Sequence, residues 1–403
     1  MNTVRRSQFP LETVSGDELP PFSLGEFETR LEEARAAMTR HQLDALVVTS
    51  KANIEYLAGL ETQFAWTTPS RPWYFVVPRT TAPIAIIPEI GETNWLSTSW
   101  CRNVATWPSP RPDDEGVSLL KAQLTDIPRS FGKVGFEIGP ESRIGMPVAD
   151  LLRLKTMIGS QVVDCTLLMA QLRAVKSPAE IERVRHICKI AGNTFAQLPA
   201  MVSLGDSEKE ICRKFAANLL LHGADKAPYT SIASGIGGYE SIIMGPTDRR
   251  IRQGDILILD TGAEYGGYFC DFDRNYSFGK PSAEIIHIYD ALWRATEAGI
   301  EAARPGNTAA QVFHAQAKVL VDAGIDVGNV GRFGHGLGKL ITEYPSNAPN
   351  DHTVLRSGMV LTIEPSAMFG ANCIMAHEED LVITEDGADL LTPRADREIT
   401  VIE

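Results

Sequence analysis

The sequence of 403 residues holds no run approaching the roughly 18 apolar residues that a membrane-spanning helix requires. Its first residues, MNTVRRSQFP, include two arginines but no apolar stretch behind them, so no secretory leader is expected. No CxxC pair occurs among the six cysteines, Cys101, Cys165, Cys188, Cys212, Cys270 and Cys373. They read as buried free thiols in a reducing compartment. Positive charge is in deficit: 38 Lys and Arg against 51 Asp and Glu leave a net charge of −13. That argues against a nucleic acid or an anionic membrane as partner. These absences together describe a cytoplasmic protein.

What is present is a folded chain of more than one core. Hydrophobic residues make up 44%, and 403 residues exceed one ordinary core, so two domains are expected. Residues 1–22 are polar and proline-containing and read as an N-terminal arm. Ser23 and Glu26 form a capping-box pattern ahead of Phe27, Leu31, Ala34 and Met38 at helical spacing. Strands are expected at 43–49, 73–77, 84–87 and 134–137, with a short helix near 53–57. Residues 23–169 therefore read as an α/β domain. Ser177, Pro178 and Glu180 start a second domain's first helix, and residues 170–403 are assigned to that domain.

The second domain carries an internal repeat. GDSEKEI at 205–211 matches GNTAAQV at 306–312, each a capping pattern opening an amphipathic helix. RQGDILILD at 252–260 matches RSGMVLTIE at 356–364, which aligns Asp260 with Glu364. Two helix-then-hairpin units are expected to pack as a pseudo-symmetric pair.

Each hairpin brings acids together. A tip at Tyr265–Gly266 puts Asp260 opposite Asp271, and a tip between Ala371 and Asn372 puts Glu364 opposite Glu379. Four ionised carboxylates on one face need protons, Arg or Lys partners, or cations. His335, in GRFGHGLGK, is flanked by glycines that allow close backbone approach. The expected ligand set is therefore Asp260, Asp271, His335, Glu364 and Glu379, holding two divalent ions. Hard oxygen donors suit manganese first, with cobalt, iron or zinc as alternatives. Two such ions bridged by a hydroxide make a nucleophile and polarise a carbonyl. The catalytic candidates are Glu364, Asp273, Glu343 and His377, the last expected to share the strand face of Glu379.

These residues, in this order, resemble the creatinase / aminopeptidase P / prolidase family. The matching pieces are GDILILDTGAEYGGYFCDFDR, GHGLG, SGMVLTIEP and EEDLVITEDG, with a looser match in LDALVVTSKANIEYLAG. The resemblance implies an α/β (α+β) chain, a creatinase-like N-terminal domain followed by a pita-bread catalytic domain, and the five ligands above. It implies a homodimer and cleavage of a C–N bond, amide or peptide, in a small substrate or dipeptide by a metal-bridged hydroxide. Three positions depart from the family's peptidases. Met244 and Thr342 stand where histidines are usual, and His377 stands where an arginine is usual two residues before the last Glu. The alternative is therefore a member acting on a small carboxylated metabolite, including a metal-dependent lyase of the dimethylsulfoniopropionate lyase type. Arg71, in the aromatic stretch 62–75, resembles a creatinase carboxylate-binding arginine, with Phe64, Trp66 or Trp73 beside it. Arg332 is a second substrate-binding candidate.

Overall fold

In the computed structural model, which describes residues 18–62, 65–67, 71–327 and 330–403, Ser23 starts the first helix, α1 (Leu24–Arg40). Its hydroxyl accepts the Glu26 N–H at 3.2 Å. Glu26 turns instead to Arg30 one turn on, at 3.0 Å, so the expected box is a simple N-cap. Most of the expected N-terminal arm, residues 1–17, lies outside the described residues, as does Phe64.

The chain divides into two compact units, Pro20–Arg173 and Ala174–Glu403, with Leu19 belonging to the second. The first unit continues with β1 (Ala45–Val48), α2 (Lys51–Ala58), β2 (Tyr74–Pro78), β3 (Ile84–Pro88), α3 (Glu92–Thr98) and β4 (Val104–Trp107). Then come α4 (Val117–Asp126), β5 (Lys133–Phe136), α5 (Val148–Met157), β6 (Gln161–Asp164) and α6 (Thr166–Ala174). The strands form one mixed sheet in the order β4-β3-β2-β1-β5-β6. All four residues of β1 are buried because both sheet faces are covered. Leu46 and Val48 pack with Met38 and Leu57, while Ala45 and Val47 pack with Leu120 and Leu154.

The second unit opens with α7 (Pro178–Met201), whose Ser177–Glu180 capping box is closed in both directions. It continues with α8 (Glu208–Leu221), β7 (Lys226–Ile236), β8 (Asp255–Tyr265), β9 (Tyr268–Phe269) and β10 (Phe272–Phe278). The repeat follows as α9 (Ala283–Ala302), α10 (Ala309–Asp322), β11 (His335–Gly336), β12 (Glu343–Ser346) and β13 (Val360–Ile363). The chain ends with β14 (Ser366–Phe369), β15 (Cys373–Ala376), β16 (Glu379–Ile383), β17 (Ala388–Leu390) and β18 (Thr400–Ile402). One sheet runs β18-β10-β8-β7 with β9 on β8, a second runs β12-β11-β13-β16-β17, and β14 pairs with β15. The repeat is physical. Ser207 and Thr308 each close a capping box, and each forms an isolated bridge, to Arg250 and Val354, in the turn before the matching strand. No helix among the described residues is long and apolar enough to cross a membrane.

The glycine before the ligand-candidate histidine is fixed by space and by dihedral. Gly334 has φ +119°, and a Cβ there would lie 2.1 Å from the Thr362 carbonyl oxygen. Gly334→Ala is therefore expected to destabilise the protein by about 2–4 kcal/mol, read as a lower denaturant midpoint. A midpoint equal to wild type would mean that this loop is not held as described.

Candidate metal centre

Two hairpins carry the acids, and their registers decide which acids meet. In the first, Tyr265 pairs with Tyr268 across a turn at Gly266 and Gly267, whose φ values are +56° and +75°. Two successive left-handed residues make the tight turn that matches strand twist. This corrects the tip expected at Tyr265–Gly266: Asp260 faces Asp273, not Asp271. A shift of two residues preserves the face, because side chains alternate with period two. Asp271 lies just before β10, and its N–H donates to Asp380 Oδ2 at 3.0 Å.

In the second hairpin, Ser366 pairs with Ala376 and Ile363 with Glu379. The turn therefore centres on Ala371, and continuing the register sets Glu364 against Glu378. The expected centre is one residue off, and a one-residue slip sends every side chain to the opposite face. Glu379, expected in the cluster, turns away from it. Its carboxylate accepts from Arg274 Nη2 at 3.1 Å, Arg394 Nη1 at 3.1 Å, the Ala395 N–H at 2.8 Å and the Thr392 hydroxyl. Burial raises its pKa, but Arg274, His377, Arg394 and Thr392 outweigh that and leave it lowered, so it stays ionised. Glu378 takes its place: single ligand atoms of Asp271, His335 and Glu378 all lie within 4.8 Å of one another.

The remaining acids gather around these three. His335 Nε2 is 3.6 Å from Asp271 Oδ2. Burial holds its pKa down to about 4, so it is neutral, and Nδ1 lies 3.0 Å from the Gly336 carbonyl. That contact assigns the proton to Nδ1 and leaves the Nε2 lone pair free, the form a metal requires. Asp260 Oδ2 accepts the Tyr229 hydroxyl at 2.9 Å. Asp260 Oδ1 and Glu378 Oε1 are buried without a hydrogen-bond partner among the described residues. Burial pushes Asp260 up to about 6 and, with the Asp260 charge, Glu364 up to about 7. Burial and neighbouring carboxylates raise Asp271, Asp273 and Glu378 well above the usual range. Orphaned carboxylate oxygens beside a neutral imidazole fit divalent cations well.

Two catalytic expectations are corrected. His377 faces Arg394 together with Glu379: Nε2 is 3.2 Å from Arg394 Nη1, and Nδ1 is 3.1 Å from Thr296 Oγ1. Burial holds it down to about 3, and neither ring nitrogen is left for a substrate proton. Glu343 is buried and ion-paired to Lys176 Nζ at 3.2 Å, while its other oxygen accepts the Leu340 N–H. Asp273, by contrast, stays on the carboxylate face. Arg332 reaches Ser346 Oγ and Thr342 Oγ1, both at 3.5 Å. The Met244 carbonyl accepts from Ser231, the β7 partner of Asp260. In the first unit, Trp66 donates its indole N–H to the Thr49 carbonyl, and the Arg71 N–H donates to Glu115. Nothing in the sequence singles out Tyr229, because a long loop separates β7 from β8 and nothing local sets their register.

The family model for Metallopeptidase family M24 matches residues 182–385, and that for the Creatinase/Prolidase N-terminal domain matches 30–175. "Probable dipeptidase PepE" of Mycobacterium tuberculosis is 30% identical over 364 residues, covering 90% of this chain and 93% of that protein. An Xaa-Pro dipeptidase of Pyrococcus furiosus is 26% identical over 374 residues, covering 92% and 99%. The crystal structure of dipeptidase PepE from Mycobacterium ulcerans superposes with a TM-score of 0.83 at 29% identity, covering 95% of this chain and 100% of that one. Elimination chemistry finds no support among these relatives.

Without metal, the raised carboxylates make the folded state bind protons that the unfolded chain releases. The stabilising contributions of Asp260 and Glu364 are complete below about pH 4 and are lost as pH rises through about 6 and 7, and Asp271, Asp273 and Glu378 act in the same direction. His335 and His377 act oppositely, losing their contributions as pH falls from about 6.5 towards about 4 and about 3, but the five raised carboxylates outnumber them. Metal-stripped protein should therefore lose thermal stability between pH 5 and pH 8, on the order of several degrees. Added Mn²⁺ should raise Tm more at pH 8 than at pH 5. Equal shifts at both values would remove the carboxylates from the metal site.

Proposed function

Since the chain belongs to metallopeptidase family M24, with a creatinase/prolidase N-terminal domain, we propose that it hydrolyses the peptide bond of a dipeptide of the Xaa-Pro class with two divalent ions. The observation that carries this reading is the meeting of Asp271, His335 and Glu378 within 4.8 Å, beside orphaned oxygens on Asp260 and Glu378. The ligand set assigned here is Asp260, Asp271, His335, Glu364 and Glu378. Four carboxylates and one imidazole favour manganese over a thiolate-seeking metal. When bound, the ions supply a Lewis acid for the carbonyl and acidify a water.

The chain's own groups supply the rest. Gly336 fixes the His335 tautomer through its carbonyl, and the Tyr229 hydroxyl fixes one oxygen of Asp260. Asp273 is the carboxyl on this face left over from the ligand set, directly across from Asp260. It is the group assigned to proton transfer at the leaving nitrogen. A homodimer, implied by the resemblance of the first unit, completes the proposal.

Turnover of an Xaa-Pro dipeptide panel by Mn²⁺-loaded protein should release both amino acids with the mass of one added water, and Glu364→Ala should abolish it. Glu378→Gln should weaken metal binding by more than the roughly 10–100-fold typical of residues behind a ligand. Glu379→Gln should fall within that range. The reverse order in metal titration would return Glu379 to the ligand set. An inert panel with both metals bound would reject the peptidase reading.

A further inference from the structure

Thr362 and Asp380 face each other across β13 and β16, and both are fully buried. Directly opposed residues on neighbouring strands send their side chains to one face of the sheet. Each accepts a backbone N–H from a residue of the ligand set assigned above. Thr362 Oγ1 accepts the His335 N–H at 3.2 Å, and Asp380 Oδ2 accepts the Asp271 N–H at 3.0 Å. Glu378 completes the group that meets within 4.8 Å, and it stands two positions before Asp380, on the same face. One cross-strand pair therefore touches all three residues, two by hydrogen bond and one by chain continuity.

Neither N–H is held by a strand ladder. Asp271 lies in the gap between β9 and β10. The Cys270 N–H bonds back to Ala263 in β8, so the Asp271 N–H leaves by the opposite edge. On that edge β18 covers only Tyr276 to Phe278. His335 follows Gly334, whose φ is +119°, and sits where the pairing of β11 with β12 shifts register.

The spacing of the group also crosses a sheet boundary. β8 and β10 belong to one sheet, β13 and β16 to another. Arg274 and Asn275 cross that gap from β10, to the Glu378 and Ala376 carbonyls at 3.2 and 2.7 Å. Asp380 crosses it in the other direction and reaches the ligand residue itself. Cys188 Sγ donates to the same Oδ2 at 3.3 Å, while Asp380 Oδ1 is buried without a partner among the described residues. A buried oxygen left unmet beside a site marks a position held for something other than stability.

We propose that the Thr362–Asp380 pair positions the metal-binding residues, setting His335 and Asp271 at the spacing from Glu378 that a divalent ion requires. The inference rests on the metal-centre reading and not on the identity of the substrate.

Two measurements test it: calorimetric titration of metal-free protein with Mn²⁺, and the electron paramagnetic resonance spectrum of the bound ion at saturating metal. Thr362→Val and Asp380→Ala remove the acceptors. Each should weaken Mn²⁺ binding roughly 10–100-fold, the range for residues behind a metal ligand, and should alter the spectrum. Thr362→Ser and Asp380→Asn keep an acceptor in place and should keep the wild-type affinity and spectrum. If Asp380→Ala does not fold, the near-isosteric Thr362→Val carries the test. Unchanged affinity in Thr362→Val and Asp380→Ala would overturn the assignment. So would weaker binding with a wild-type spectrum, which a general loss of stability produces, or equal losses in Asp380→Asn and Asp380→Ala. A wild type that binds Mn²⁺ and leaves every peptide intact, with the variants behaving as expected, would uphold the pair and reject the hydrolase reading. A wild type that binds no Mn²⁺ would overturn both.

Discussion

Burying several carboxylates in one place sets the terms for the rest of the catalytic unit. At separations of about 4–5 Å, like charges repel by roughly 3–4 kcal/mol per pair at an effective dielectric near 20. A few such pairs would match the whole stability of a typical domain. The unit therefore needs either protons or cations at Asp260, Asp271, Glu364 and Glu378. The upward pKa shifts describe the first solution, and the orphaned oxygens and the neutral His335 describe the second. The two solutions compete for the same oxygens, which is why pH and metal are linked here.

Adjacent glutamates show how finely that constraint is managed. Glu378 and Glu379 are neighbours in sequence, yet strand alternation gives them opposite fates. Glu378 joins the cluster with one oxygen unpartnered among the described residues. Glu379 is clasped by two guanidiniums, a backbone N–H and a hydroxyl. The clasp is a second, fully paired charge network behind the first, and it includes His377 through Arg394. A buried carboxylate with such partners stays ionised, whereas one without them awaits a cation.

Much was legible without coordinates. The capping patterns at Ser177, Ser207 and Thr308 start α7, α8 and α10, because a cap is decided by a few residues in a row. The repeat was legible too, since matched capping helices and strands lie in order along the chain. Strand ends and glycine flanks single out Asp260, Asp271, His335 and Glu364 as candidates. Glu378 is not among them, because the turn centre at Ala371 decides which glutamate faces inward, and all five residues of β16, which follows it, are buried. With apolar surroundings on both faces, alternation gives no cue to which glutamate faces inward.

By itself, then, the sequence determined the helix starts, the duplicated hairpin plan, the acidic character of the site and the family. These depend on short-range chemistry or on residue order. Only the tertiary structure decided the registers: the turn at Gly266–Gly267, the turn centred on Ala371, and the β7–β8 pairing that brings Tyr229 to Asp260. Register depends on turn geometry and on packing between strands distant in sequence. It is also what separates a proposed metal ligand from its neighbour in a salt bridge.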